Sequence, residues 1–266
     1  MKRGRRHCSS SPRLLESRLV SRPRSLHRVV AAAAVALFAL EARAQGTGYF
    51  GPEMPFQIQP EVDAYLKLGK DFRLLAQLQT TFIPADSNST ANVGVYGDWL
   101  IGAPVRSLLS PDESKTRTAD LRVGLQYDTT LDPGTQNSSR TLVLQEDFTP
   151  KFFLPWDILL SNRNRFQERW SLEGSDGFSF RYLGRLQFER EFDVGHSSLT
   201  PFLNAELTWS APPAMWTEFR VEAGVQHGPH WFGWDQIIEL NFSIVTKLQP
   251  SHSWSPVVGL IWYVFF

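Results

Sequence analysis

The sequence predicts an all-β protein, a transmembrane antiparallel β-barrel of about twelve strands, with ten as the alternative count. Three observations carry that prediction. Apolar and polar residues alternate with period two along segment after segment, and successive side chains of a strand point to opposite faces. Several of these segments are long, with Phe178 to Phe192 alternating throughout, whereas soluble strands average about five or six residues. Finally, Val258, Leu260, Trp262, Val264 and Phe266 form an alternating apolar face that stops on the last residue.

The first 44 residues read as a separate element. Lys2, Arg3, Arg5, Arg6, Arg13, Arg18, Arg22, Arg24 and Arg28 precede the apolar run Val29–Leu40, which ends in Ala42-Arg43-Ala44. A basic region, a dozen apolar residues and an A-x-A site predict a secretory signal peptide cut after Ala44. An uncut anchor helix is the alternative, and the run is short for it, since a span needs roughly 18 to 20 residues. The Arg5-Arg6 pair lies too far from the apolar run to act as a twin-arginine signal. Cys8 is the one cysteine and lies upstream of that run, so the mature chain 45–266 has none. Disulfides, thiol catalysis and cysteine metal sites are thereby excluded from it. The chain as a whole carries 27 basic and 27 acidic residues, but without residues 1–44 it has 17 and 25, a net charge of −8. Neither balance suits nucleic-acid binding, which asks for a basic excess.

Eleven segments of the remainder read as strands: 61–69, 72–83, 92–103, 117–128, 141–151, 158–170, 177–192, 199–210, 216–227, 234–247 and 256–266. Turn signals separate them at Lys70-Asp71, Asp86-Ser87-Asn88, Asp132-Pro133-Gly134, Gly174 to Gly177 and Pro212-Pro213. Single-chain bacterial barrels have an even number of strands, so a twelfth is expected at Met54–Gln59 or within 104–116. A soluble sandwich also alternates. Against it stand the strand lengths and the aromatic residues gathered at segment ends (Phe178, Phe192, Trp209, Trp216, Trp231, Trp234 and Trp254), placed as interfacial girdles would be.

The polar face of these strands is densely charged. Segments 158–170 and 177–192 place Arg163, Arg165, Arg169, Arg181, Arg185 and Glu189 on it. The next three place Glu206, Glu218, Arg220, Glu222, Asp235 and Glu239 there. Bases on one wall and acids on the adjoining wall would set up a transverse field, as in a pore constriction. That predicts a narrow porin-like path for small polar solutes or ions lined by these twelve residues. Cross-strand pairs such as Arg181 with Glu206 are expected in either case. The alternative is a closed structural barrel filled by salt bridges, or a lipid-modifying enzyme. For the latter, His196, His227, His230 and His252 all fall in loops or at strand ends. His227 and His230 beside Trp231 and Asp235 form the one cluster worth naming. No G-x-S-x-G, P-loop or H-E-x-x-H occurs, and two histidines make a weak metal signal. No catalytic residue, metal or cofactor is assigned.

At Leu160-Ser-Asn-Arg-Asn-Arg165, Phe180-Arg-Tyr-Leu-Gly-Arg-Leu186, Thr200-Pro-Phe-Leu-Asn-Ala-Glu206 and Trp216-Thr-Glu-Phe-Arg220 the chain resembles an uncharacterised family of proteobacterial outer-membrane β-barrel proteins, best over residues 140 to 226. Phe202 stands where that family usually has a hydroxylated aromatic, and Leu183-Gly184 where it has Arg-Asn. The resemblance implies integral insertion in the outer membrane of a Gram-negative bacterium, among outer-membrane lipid and lipopolysaccharide. The terminal Phe266 similarly resembles the assembly signal read by the barrel-assembly machinery. Neither implies a substrate.

Overall fold

The computed structural model describes residues 55–84, 88–105, 110–131, 138–173, 177–195, 197–229, 235–248 and 253–266. The signal peptide, Cys8, His196, His230, Trp231, Trp234 and His252 lie outside them. The described chain forms β1 (Gln57–Lys67), β2 (Phe72–Ile83), β3 (Asn88–Ile101), β4 (Ala119–Leu131), β5 (Ser138–Leu154), β6 (Ile158–Ser171), β7 (Phe178–Arg190), β8 (Phe192–Val194), β9 (Ser197–Ala211), β10 (Met215–Gly228), β11 (Asp235–Lys247) and β12 (Ser253–Phe265).

Each of the eleven segments read from the sequence is one strand of a closed wall. Neighbours pair antiparallel from β1 through β7, then β9 to β12. The wall closes where β12 pairs with β1, and this seam is parallel, from Gln57 opposite Val257 to Tyr65 opposite Phe265. The parallel seam explains why the wall has an odd number of strands: only an all-antiparallel closure demands an even one. The twelfth strand exists but lies elsewhere than expected. Gln57–Gln59 are the first residues of β1, Met54 lying outside the described residues, and the described part of 104–116 holds the 3-10 turn Glu113–Thr116, capped by the Asp112 side chain on Ser114 N at 3.0 Å. The twelfth is β8, three residues paired to the start of β9.

Burial along the strands is inverted relative to a soluble protein. On β9, Leu203 and Leu207 are 52% and 40% exposed while Asn204 and Glu206 are 3% and 8% exposed. Apolar side chains out and polar side chains in is what a hydrocarbon solvent selects, and a closed ladder lets wall strands pair their backbone polar groups with one another. Phe178, Phe192 and Trp216 point outward and exposed near strand ends, as girdle residues should. The apolar part of the interior is small. Tyr65, Leu75 and Tyr96 form a buried cluster beside the seam, with Tyr263 and Phe265 packed on it and the Tyr65 and Phe265 rings stacked at 4.9 Å. Gly124 makes room for it: a Cβ there would come within 2.3 Å of Val95 O and 2.4 Å of the Tyr96 ring. Phe266 is tied into the wall by its N–H on Tyr65 O (2.9 Å) and its carbonyl under Lys67 N (3.1 Å). We call the mouth holding Phe266 the near mouth.

Candidate functional site

The lumen holds a cavity of about 550 Å³ lined by side chains from all eleven wall strands. Period two aims every second residue of each strand into it, so the site is built row by row across neighbouring strands, and two rows decide its character.

The first row crosses β2 to β6. Arg73 stands opposite Asp98, Asp98 opposite Arg122, Arg122 opposite Asp147 and Asp147 opposite Arg165. The signs alternate without a fault. Asp98 receives Arg73 Nε at 3.0 Å and Arg122 at 2.7 and 3.0 Å, while Arg165 grips Asp147 with two bonds of 2.9 and 2.8 Å. Such charge-assisted, bidentate pairs are the strong ones. The ladder is braced by aromatic rings, with the Arg73 guanidinium 4.3 Å from the Tyr65 centroid. Arg169 with Asp128 (2.9 Å), and Lys151 with Asp120, extend the same matched surface.

The second row crosses β6, β7, β9 and β10 and is mismatched. Arg163 stands opposite Arg185, Arg185 opposite Glu206, and Glu206 opposite Arg220. One carboxylate thus serves three guanidinium groups, and it is bonded to Arg163 at 2.6 Å. Nε of Arg163 and of Arg220 is buried without a partner. Arg220 approaches Glu218 at 3.9 Å, beyond hydrogen-bond range. Among the described residues Arg181 and Arg185 have no ion-pair partner. The surplus acids lie on β10, β11 and β1, solvated by neutral donors. Glu239 accepts from Gln226 (2.7 Å), Asn241 (2.8 Å) and Tyr263 (3.0 Å), Glu61 from Gln77 (2.6 Å) and Gln79 (2.7 Å), and Glu222 from Asn204 (2.9 Å).

Of the twelve residues picked from the sequence, Arg163, Arg165, Arg169, Arg181, Arg185, Glu189, Glu206, Glu218, Arg220, Glu222 and Glu239 line the cavity. Asp235, the first residue of β11, is exposed and does not line it. The pairing of Arg181 with Glu206 is not formed: Arg181 stands opposite Ser210, and Arg185 takes the place beside Glu206. The β8–β9 hairpin continues that same register, with Phe192 opposite Leu199. The twelve residues picked from the sequence do not include Arg73, Asp98, Arg122 or Asp147, although period-two alternation along segments 72–83, 92–103, 117–128 and 141–151 places them on the polar face.

The near mouth is crossed by residues 110–118, which lead into β4. Lys115 reaches Glu189 (2.8 Å) and Gln226 (2.5 Å) on the far wall, and Asp112 holds Arg73 at 2.8 Å. Lys151 supports Ser114 O at 2.7 Å, and the Arg117 guanidinium donates to Gly102 O (2.7 Å) and Lys70 O (3.0 Å). Ser114, Lys115 and Arg117 are buried. His227 lies on the outer wall beside this mouth, between Leu199 and Ile238, its Nδ1 3.1 Å from Ser198 O.

No family model and no curated protein matches the chain, so the resemblance over residues 140 to 226 has no family match behind it. Among solved structures, the β domain of the Bordetella autotransporter BrkA is similar to it at 15% identity and a TM-score of 0.42, covering 72% of this chain and 83% of that one.

Proposed function

We propose that the protein is an integral outer-membrane β-barrel, exported by its N-terminal signal, that works as a narrow channel for small polar solutes or ions. The observation that carries this reading is the mismatch of charge in the lumen: Arg163, Arg185 and Arg220 share Glu206, while Glu61, Glu222 and Glu239 meet only neutral donors. A barrel that only needed filling would match its charges throughout, as the β2–β6 row does, because an unpaired buried charge is costly. In this reading the near mouth is periplasmic, Phe266 is the assembly signal met by the barrel-assembly machinery, and lipid and lipopolysaccharide surround the wall.

The segment crossing the near mouth favours a second reading, a barrel closed at rest. Planar-bilayer recording of the refolded chain tests both. Discrete conductance steps support the channel, and silence at every voltage and salt concentration leaves the closed barrel.

A further inference from the structure

The two lumen rows differ in a way that points to a ligand. In the β2–β6 row each guanidinium has its carboxylate. In the β6–β10 row Arg163, Arg185 and Arg220 share Glu206, and the surplus donors have no acceptor among the described residues. Like charges directly opposite on neighbouring strands repel, and these strands run about 4.8 Å apart. Arg163 opposite Arg185 is therefore a standing cost to the empty barrel. The other acids do not relieve it: Glu61 and Glu239 are held by amide and phenol donors on β2, β10, β11 and β12, and Glu222 by Asn204. Arg220 stands beside both groups, with Glu206 across the strand pair and Glu222 two residues on.

We propose that Arg163, Arg185 and Arg220 form a binding site for a soluble, multiply charged oxyanion, a phosphate or a polycarboxylate. Arg181 lines the same cavity, four residues before Arg185 on the same face of β7. Guanidinium groups carry five N–H donors in a rigid fork and bind oxyanions through paired hydrogen bonds. A single chloride would satisfy few of those donors, whereas an oxyanion satisfies several and cancels the repulsion between Arg163 and Arg185. In the ligand-free state Glu206 holds one Arg163 donor at 2.6 Å. This deepens the channel reading, on which it rests for the anion's access to the lumen.

The test uses the full-length mature barrel refolded in detergent at low ionic strength and titrated calorimetrically with inorganic phosphate, then with citrate. Wild type binds at least one of them, and Arg185→Ala and Arg220→Ala weaken that binding by roughly tenfold or more each. Arg185→Lys keeps the charge without the fork and falls between. Heat-modifiable gel migration confirms that each variant is folded. Without anion, Arg185→Ala is as resistant to urea as wild type or more so, because it removes a repulsion; a purely structural arginine would lower that resistance. Binding of phosphate alone assigns the phosphate class, and of citrate alone the polycarboxylate class. Wild type that binds neither, or Arg185→Ala and Arg220→Ala that bind as tightly as wild type, overturns the site. Conductance without anion binding overturns the site and keeps the channel, and binding without conductance does the reverse.

Discussion

Arg163 on β6 and Arg185 on β7 stand directly opposite each other and both face the lumen. On β3, Asp98 lies between Arg73 and Arg122 and is bonded to both. One barrel thus contains an arrangement that repels and one that attracts, built from the same side chains at the same spacing. The difference separates what holds the barrel from what the barrel holds.

Asp98→Ala should therefore be severe. Asp98 is 1% exposed, and its removal leaves Arg73 with Asp112 alone and Arg122 with no bidentate partner. Breaking a buried pair by deleting one member costs about 3–5 kcal/mol. Urea unfolding of the refolded barrel in lipid should show a loss of that size, and a loss under about 1 kcal/mol would mean that the ladder contributes little.

How much of this was legible in the sequence follows from what period two encodes. Alternation depends only on which solvent each face meets, so it located all eleven wall strands and the inward side of Arg163, Arg185 and Glu206. It says nothing about which inward residues become neighbours. Register is a relation between strands, and it puts Arg185 rather than Arg181 beside Glu206. The parallel seam between β1 and β12 is hidden for the same reason, being a relation between strands at opposite ends of the chain. Segment 110–118 has no alternation at all, because its buried polar residues are held by individual bonds.

Gly124→Ala tests the seam cluster. The new methyl would overlap Val95 O and the Tyr96 ring, and Tyr96 is wedged against Leu75 and Tyr65. Overpacking of this kind costs about 1–3 kcal/mol. The expected result is a lowered urea midpoint, partly restored by Tyr96→Phe, which frees the ring from its bonds to Gln77 and Gln126. No change in midpoint would show that the ring has room to move.

The segment crossing the near mouth should stay in place across a wide pH range. Burial by itself raises the Asp112 carboxyl, but the Arg73, Lys151 and Lys115 charges outweigh it and hold it well below the ordinary 3.8. A depressed carboxylate contributes docking energy above its unfolded value and loses it as pH falls towards the folded one. Burial lowers Lys115, and Glu189 with Asp112 more than offset that, raising it above 10.5. Its contribution is present below that value and is lost as pH rises past it. Residues 110–118 should then stay docked from pH 5 to 9 and release only below about pH 4, read as the mobility of a spin label on Thr116→Cys. Lys115→Ala should free the label at neutral pH, and a wild-type release between pH 5 and 9 would show that other groups hold the segment.

Glu146 makes the last prediction. It is the ninth of the seventeen residues of β5, exposed, and on the outer face beside Phe166. Asn162 and Asn164 share that face on β6, and the Tyr182 hydroxyl donates to Asn164 Oδ1 at 2.8 Å. Tyr182 thus gives Asn164 a partner on the wall, whereas no described side chain bonds Glu146. A lipid-facing charge near mid-strand is destabilising, less for Glu than for the roughly 2–4 kcal/mol of Arg or Lys. Glu146→Leu should therefore stabilise the barrel in lipid by about 1–2 kcal/mol, read as a raised urea midpoint in vesicles. The same substitution measured in a detergent micelle, where water reaches the wall, should gain much less. A variant that is less stable in vesicles would mean that the carboxylate meets a donor in the bilayer.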